Sequence, residues 1–199
     1  MQSRLPTEER QAGIVEMALV LARSASPSLI TTGDIAAAVG VSQGALFKHF
    51  ATKDAIWLAA MGWVREQLVS ILEAAALAAP SPVDALGAVF KAHVAFVQSH
   101  PGVPRLIFHE LQRPQDSPIK QEVRLLLQRY RKLLLGLLGA AREQGQVAAN
   151  LDPEAAATLF VGIVQGLVMQ SMLTGKPASM KAQADGVFAI YRRGITETP

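Results

Sequence analysis

Residues 31 to 50 read Thr-Thr-Gly-Asp-Ile-Ala-Ala-Ala-Val-Gly-Val-Ser-Gln-Gly-Ala-Leu-Phe-Lys-His-Phe, and no other stretch limits the fold so tightly. Thr31 or Thr32 can cap a short helix through Ile35 and Val39, which Gly40 stops. Ser42 caps a second helix, expected to run to about Phe50. Only Gly40-Val41 lies between them, and two short helices joined by so brief a glycine-containing turn form a helix-turn-helix. Ile35, Ala36, Val39, Val41, Leu46 and Phe50 are spaced to close a small core under the pair, while Ala36, Ala37 and Ala38 keep the first helix thin where the second crosses it. That spacing turns Gln43, Gly44, Ala45, Lys48 and His49 outward. Eight helical residues would span about 12 Å, which matches the roughly 12 Å width of a DNA major groove.

The rest of the chain is helix after helix, with no convincing alternating strand. Alanine and leucine supply most of the apolar surface, and only 6% of residues are aromatic, a mixture that favours helix over sheet. A first helix is expected from Thr7 to about Ser24, then a turn containing Pro27. Thr52 starts a long helix towards Ala79, and Ser81-Pro82 is a cap followed by proline at the first helical position. Helices follow from Val83 to about Ser99 and from Val103 to Leu111. Ser117-Pro118 repeats the device and opens a long amphipathic helix to about Gln144. Asp152-Pro153-Glu154 opens a very apolar helix to Thr174, closed by Gly175-Lys176-Pro177, and a last helix occupies about 179 to 196. The expectation is all-α with nine helices: an amino-terminal three-helix domain over 1–54 and a larger helical domain over 55–199.

The motif resembles the DNA-binding signature of the TetR family of transcriptional regulators. It carries the Thr-initiated helix, Ile35-Ala36, Gly40-Val41-Ser42, a small residue before Leu46-Phe47, His49-Phe50 and the Thr52-Lys53 cap. The resemblance implies a ligand-responsive homodimeric regulator, acting as a repressor on double-stranded operator DNA. It places Ser42, Gln43, Gly44 and Ala45 at base edges, and Thr31, Thr32, Lys48, His49 and Lys53 at phosphates. The family's tyrosine is replaced by Phe47, which loses a hydroxyl but can still pack on the sugar-phosphate wall. Basic residues in the first quarter (Arg4, Arg10, Arg23, Lys48, Lys53) are matched by Glu8, Glu9, Glu16, Asp34 and Asp54. Phosphate contacts should therefore be few, and dimerisation should supply the remaining affinity.

A helix as apolar as 153–174 needs cover on all sides, and in a chain this small a second subunit provides it. Leu159, Gly162, Ile163, Gly166 and Leu167, with Phe188 and Tyr191 from the last helix, are the expected dimer interface. A small-molecule effector is implied by the resemblance, with His93, Phe96, Phe108, His109, Tyr130, Gln165 and Met169 as candidate lining. Gln165 stands out as an amide in an apolar helix, needing a hydrogen-bond partner.

Other classes of function lack their residues. The chain has no cysteine and a formal charge of only +3, and His93, His100 and His109 do not share metal-ligand spacing on one helix, so no metal and no cofactor are expected. No nucleophile elbow, phosphate-cradling glycine loop or paired carboxylate suggests an enzyme. The amino terminus lacks the apolar core of a signal peptide. The stretch 155–173 is interrupted by Thr158, Gln165, Gln170 and Ser171, so no membrane span and a cytoplasmic location are expected. The alternative is a DNA-binding architectural or cell-division protein on the same fold without a small-molecule effector.

Overall fold

The computed structural model describes residues 7–175 and 177–196. The polar start at residues 1–6 and Lys176 of the closing turn lie outside them. Among the described residues there are nine helices and no strand: α1 (Thr7–Leu21), α2 (Thr32–Val39), α3 (Gln43–Phe47), α4 (Lys53–Leu77), α5 (Pro82–Ser99), α6 (Gly102–Leu111), α7 (Pro118–Glu143), α8 (Pro153–Thr174) and α9 (Pro177–Thr196). The boundaries fall where the capping chemistry puts them. Ser81 Oγ accepts the Asp84 N–H at 3.2 Å, and Asp152 Oδ1 accepts the N–H groups of Glu154 and Ala155 at 2.9 and 3.2 Å.

Two units emerge from the chain's own contacts. The first holds residues up to Glu66 together with His100–Leu125; the second holds Gln67–Ser99 and the residues from Leu126 on. The first unit therefore extends past the expected division at residue 54, taking in α6 and the start of α7. Its core comprises Ile14, Ala18, Ile35, Leu46, Ile56, Trp57, Met61, Val103 and Leu106. Glu110, 1% exposed, is a buried carboxylate. It accepts the Ser117 hydroxyl and, at 3.3 Å, an Arg113 N–H, so its charge is compensated where α6 gives way to α7.

The second unit is built on an aromatic cluster. Phe90 meets Phe160 edge-on at 5.6 Å between centroids and Phe188 at 5.3 Å, and Phe160 meets Tyr191 at 5.4 Å. Tyr191 Oη donates to the Ala156 carbonyl at 3.1 Å, so its hydroxyl is satisfied. α8 turns Ala156, Ala157, Phe160, Val164, Leu167, Val168 and Ser171 inward, packing on α5 and α9. Only one face of this apolar helix is covered by its own chain. α4 and α8 are both long and apolar enough to cross a membrane by length and composition. α4 buries Ile56, Trp57, Ala60, Met61, Val64, Leu68, Val69 and Leu72 inside the protein.

Candidate nucleic-acid interface

The α2 start is a reciprocal cap. Thr31 Oγ1 accepts the Asp34 N–H at 3.1 Å, and Asp34 Oδ2 accepts the Thr31 N–H at 2.8 Å and its hydroxyl at 2.7 Å. These bonds favour the charged carboxylate and hold the Asp34 pKa below the usual range. At the other end Gly40 adopts φ 77°, a left-handed conformation that a Cβ would penalise, and its N–H and that of Val41 close on the carbonyls of Ala37 and Ala36. The chain is thereby redirected within two residues. Ser42 then caps α3, its Oγ accepting the Ala45 N–H at 3.2 Å.

α3 is shorter than the sequence suggests. It ends at Phe47, five residues or about 7.5 Å long, instead of running to Phe50. Lys48 and His49 continue as a turn, with their N–H groups reaching back three residues to Ala45 and Leu46. The reason lies in the anchoring of Phe50: its ring is buried at the foot of the motif, and the backbone tightens to deliver it there. Leu46 is fully buried with Ile35 and Ala36, whereas Val39 and Val41 are half-buried, and Ala37 and Ala38 are exposed. Of the three alanines only Ala36 lies in the packed seam.

The outward face contains Ser42, Gln43, Gly44, Phe47 and Lys48, all exposed, with Ala45 half-buried. Phe47 keeps 45% of its surface open, which no packing need of this chain explains. A Cβ built on Gly44 would meet nothing within 4 Å, so the fold itself does not require glycine there. Gln43 Nε2 donates to Thr32 Oγ1 at 2.7 Å, joining the first residues of α2 and α3.

Two residues expected at phosphates are occupied elsewhere. The Lys53 ammonium donates to the carbonyls of Pro27, Ser28 and Ile30 at 3.3, 3.0 and 3.0 Å, using all three of its protons to fasten the α1–α2 loop to the start of α4. Thr31 has both its donors and its hydroxyl oxygen committed to the Asp34 cap. His49 is half-buried; its carbonyl accepts from Gln11 Nε2 at 3.1 Å, and its Nδ1 is buried without a partner. Sequence reasoning missed the Lys53 clamp and Gln11, because both act over more than twenty residues. The Thr31–Asp34 cap was readable from its three-residue spacing.

The residues proposed for an effector pocket do not gather. His93, Phe96 and Tyr130 lie in the second unit, where His93 Nδ1 and Tyr130 Oη are 3.1 Å apart. Burial pushes the His93 imidazole down to about 4 and the Tyr130 hydroxyl upward, so both are neutral at pH 7. Phe108 and His109 belong to the first unit, where His109 borders a cavity of about 180 Å³ with Lys53, Trp57 and Glu110. Gln165 and Met169 are exposed on α8, so the amide that seemed to need a buried partner faces outward.

The expected dimer residues divide in two. Leu167, Phe188 and Tyr191 are buried at 4%, 8% and 2% inside their own unit and are unavailable to a partner. Leu159, Gly162, Ile163 and Gly166 lie on the uncovered side of α8. Leu159 and Ile163 border an open apolar groove of about 510 Å³ with Ala155, Val187, Ile190 and Ile195.

Residues 14–60 match the family described as bacterial regulatory proteins, tetR family, and residues 111–187 match the tetracyclin repressor-like carboxy-terminal domain. A nucleoid occlusion factor SlmA from Shewanella sediminis is 22% identical over 83% of this chain and 84% of its own. The fold is similar to that of the transcriptional regulator FadR from Bacillus subtilis in complex with stearoyl-CoA, at TM-score 0.80 and 18% identity over 92% of this chain and 98% of the other. It is also similar to a TetR transcription regulator from Haloarcula marismortui, at TM-score 0.81 and 15% identity over 96% and 100%. With one family match spanning the helix-turn-helix and the other spanning α7 and α8, the chain belongs to the TetR family of DNA-binding regulators.

Proposed function

We propose that this protein is a homodimeric repressor that reads a near-palindromic operator with α3 of each protomer and lets go when a small molecule binds its carboxy-terminal half. The outward face of α3 and its caps carries this reading: Gln43, Gly44, Phe47 and Lys48 are exposed, while the helix is started by the Ser42 cap and anchored by the buried Leu46. Gln43 has the amide pair that matches adenine in the major groove, and the Ala45 methyl can meet a thymine methyl. Ser42 keeps its hydroxyl proton for a base edge, Lys48 adds a charge towards the phosphates, and Phe47 lies against the sugar-phosphate wall without bonding to it. Dimerisation through the open side of α8 would set the two reading helices about 34 Å apart, one turn of the duplex. The site of action would be the cytoplasm.

For the effector, the similarly folded FadR in complex with stearoyl-CoA supports a fatty acyl thioester as the first ligand class to try. The neutral His93–Tyr130 pair beside Phe160 supports an amphipathic ligand with one polar anchor. A second reading has support too: likeness to a nucleoid occlusion factor favours a DNA-bound protein without such an effector.

One experiment separates them. Binding sites are selected from random DNA at stated salt, and stearoyl-CoA is titrated into the resulting complex. A palindromic consensus with release on titration supports the repressor. A consensus that recurs across a chromosome, with a complex indifferent to stearoyl-CoA, favours the occlusion-like reading. Failure to select any sequence would sink both.

The lysines give a second test. Each phosphate contact contributes about 0.9 to the slope of log affinity against log salt. Lys48→Ala should lower that slope by about one per protomer and leave thermal stability unchanged. Lys53→Ala should keep the slope and instead destabilise the first unit by about 2 kcal/mol, since it removes a charged donor from three carbonyls. A slope change with Lys53→Ala would return that residue to the phosphates.

A further inference from the structure

Thr31 and Thr32 stand side by side where α2 begins, yet they do different work. Thr31 is wholly engaged in the cap with Asp34. Thr32 takes no part in it. Its hydroxyl oxygen instead accepts the Gln43 Nε2–H at 2.7 Å, across eleven residues of sequence. Among the described residues this is the hydrogen bond that ties the first reading side chain of α3 back to α2, whose other packing on α3 is apolar through Ile35 and Leu46.

We infer that Thr32 is a positioning residue for base recognition: it anchors the Gln43 amide by its nitrogen and so makes the side chain read adenine in preference to guanine. This rests on α3 being the DNA-reading helix.

The argument follows from the donors and acceptors of the two groups. A glutamine amide has two N–H donors and one carbonyl acceptor. With one N–H held by Thr32, the side chain offers the duplex one donor and one acceptor. Adenine presents the complement in the major groove, an N7 acceptor beside an N6 donor. If the amide were turned over, its oxygen would face Thr32 and both N–H groups would face outward. That pair suits guanine, whose N7 and O6 both accept. A threonine hydroxyl can serve either orientation in isolation, because it both donates and accepts. On DNA the ambiguity disappears once its single proton goes to a neighbouring phosphate oxygen. The hydroxyl oxygen is then an acceptor only, and the amide must present nitrogen to it. Contact with the backbone and choice of base thereby become coupled through one oxygen atom. The bond also removes rotational freedom from Gln43 before DNA arrives, so the ordering is already done.

Thr32→Ser keeps the hydroxyl, whereas Thr32→Val keeps the shape without it. The test is selection from random DNA by wild type, both Thr32 variants, Gln43→Ala and the Thr32→Val/Gln43→Ala double variant, with thermal melts as a check that each is folded. Wild type and Thr32→Ser should share a consensus with adenine at one symmetry-related pair of positions. Gln43→Ala should lose the preference there. Thr32→Val should let the ratio of adenine to guanine fall by about tenfold at those same positions, the scale of one bidentate contact, with other positions unchanged. The double variant should look like Gln43→Ala alone.

The inference is overturned if Thr32→Val keeps its adenine preference, or if it loses preference at positions that Gln43→Ala leaves alone. Wild type selecting no sequence at all would overturn the DNA-reading proposal along with it. A wild type that selects guanine at the Gln43 position would overturn the anchoring alone.

Discussion

Gly166→Leu should turn a dimer of about 42 kDa into a folded monomer of 21.2 kDa and weaken operator binding by a factor of about 10² to 10⁴, the usual gain from linking two binding events. The exposed side of α8 presents Leu159, Gly162, Gly166, Met169 and Leu173, spaced three, four, three and four residues apart. That spacing is the seam of two helices packed side by side. The large side chains flank the two glycines: Leu159 is 55% exposed, Met169 43% and Leu173 79%. Gly162 and Gly166 therefore mark where a partner helix can come closest, and a leucine there would hold it off. Within the protomer the first added carbon has room. A Cβ at Gly162 or Gly166 meets nothing within 4 Å, and leucine is the better helix former. The thermal midpoint of the isolated protomer should not fall. Sedimentation and operator titration of Gly162→Leu, Gly166→Leu and Gly166→Arg provide the check. Variants that remain dimers with full operator affinity would remove α8 from the interface.

This seam shows why the sequence was only partly legible. Caps and turns are local, so Ser42, Ser81, Asp152 and Gly40 could be read from a few neighbours, and all nine helices with them. α8 was a different problem, because both of its sides are apolar. One stripe, through Phe160, Val164, Leu167 and Ser171, is core; the other, through Leu159, Gly162, Gly166 and Met169, is not. Hydrophobicity does not distinguish a core stripe from a docking stripe. Leu167, Phe188 and Tyr191 were therefore expected at the interface although they belong to the core. Gln165 differs for the complementary reason: an amide among apolar neighbours on the helix suggests enclosure, whereas it is exposed beside the open stripe. The outward face of α3 was legible at Gln43, Gly44 and Lys48 because the motif fixes which residues turn away from the core, although Ala45 and His49 are half-buried. The bonds that hold that face, from Lys53 to the loop carbonyls and from Gln43 to the Thr32 hydroxyl oxygen, depend on distances that no local pattern encodes.

Gly102→Ala should be among the most damaging single-methyl additions in the chain. Gly102 begins α6 and is buried against the end of α1. A Cβ built on it would overlap the Leu19 carbonyl oxygen and stand 3.1 Å from the Ala22 Cβ. The obstacle is backbone, so no rotamer change relieves it, and α1 must shift away from α6. Adding bulk to a packed interior commonly costs 1–3 kcal/mol through side-chain adjustment; moving a helix puts this change at the upper end, about 3 kcal/mol or more. For a domain of this size that is a fall of roughly 6–12 °C in the thermal midpoint. α1 carries Ile14, Ala18 and Leu19 of the core on which α2 rests, so the displacement should reach the reading head. DNA affinity is then expected to fall even at temperatures where the variant is folded, without change at the oligomer level. Melting curves, sedimentation and operator titration of one preparation separate these effects. A Gly102→Ala protein that melts with the wild type would mean that α1 and α6 do not pack this closely in solution. A Gly44→Ala variant is the natural control, since a Cβ there meets open space and should leave the melt unchanged while altering only the approach to DNA.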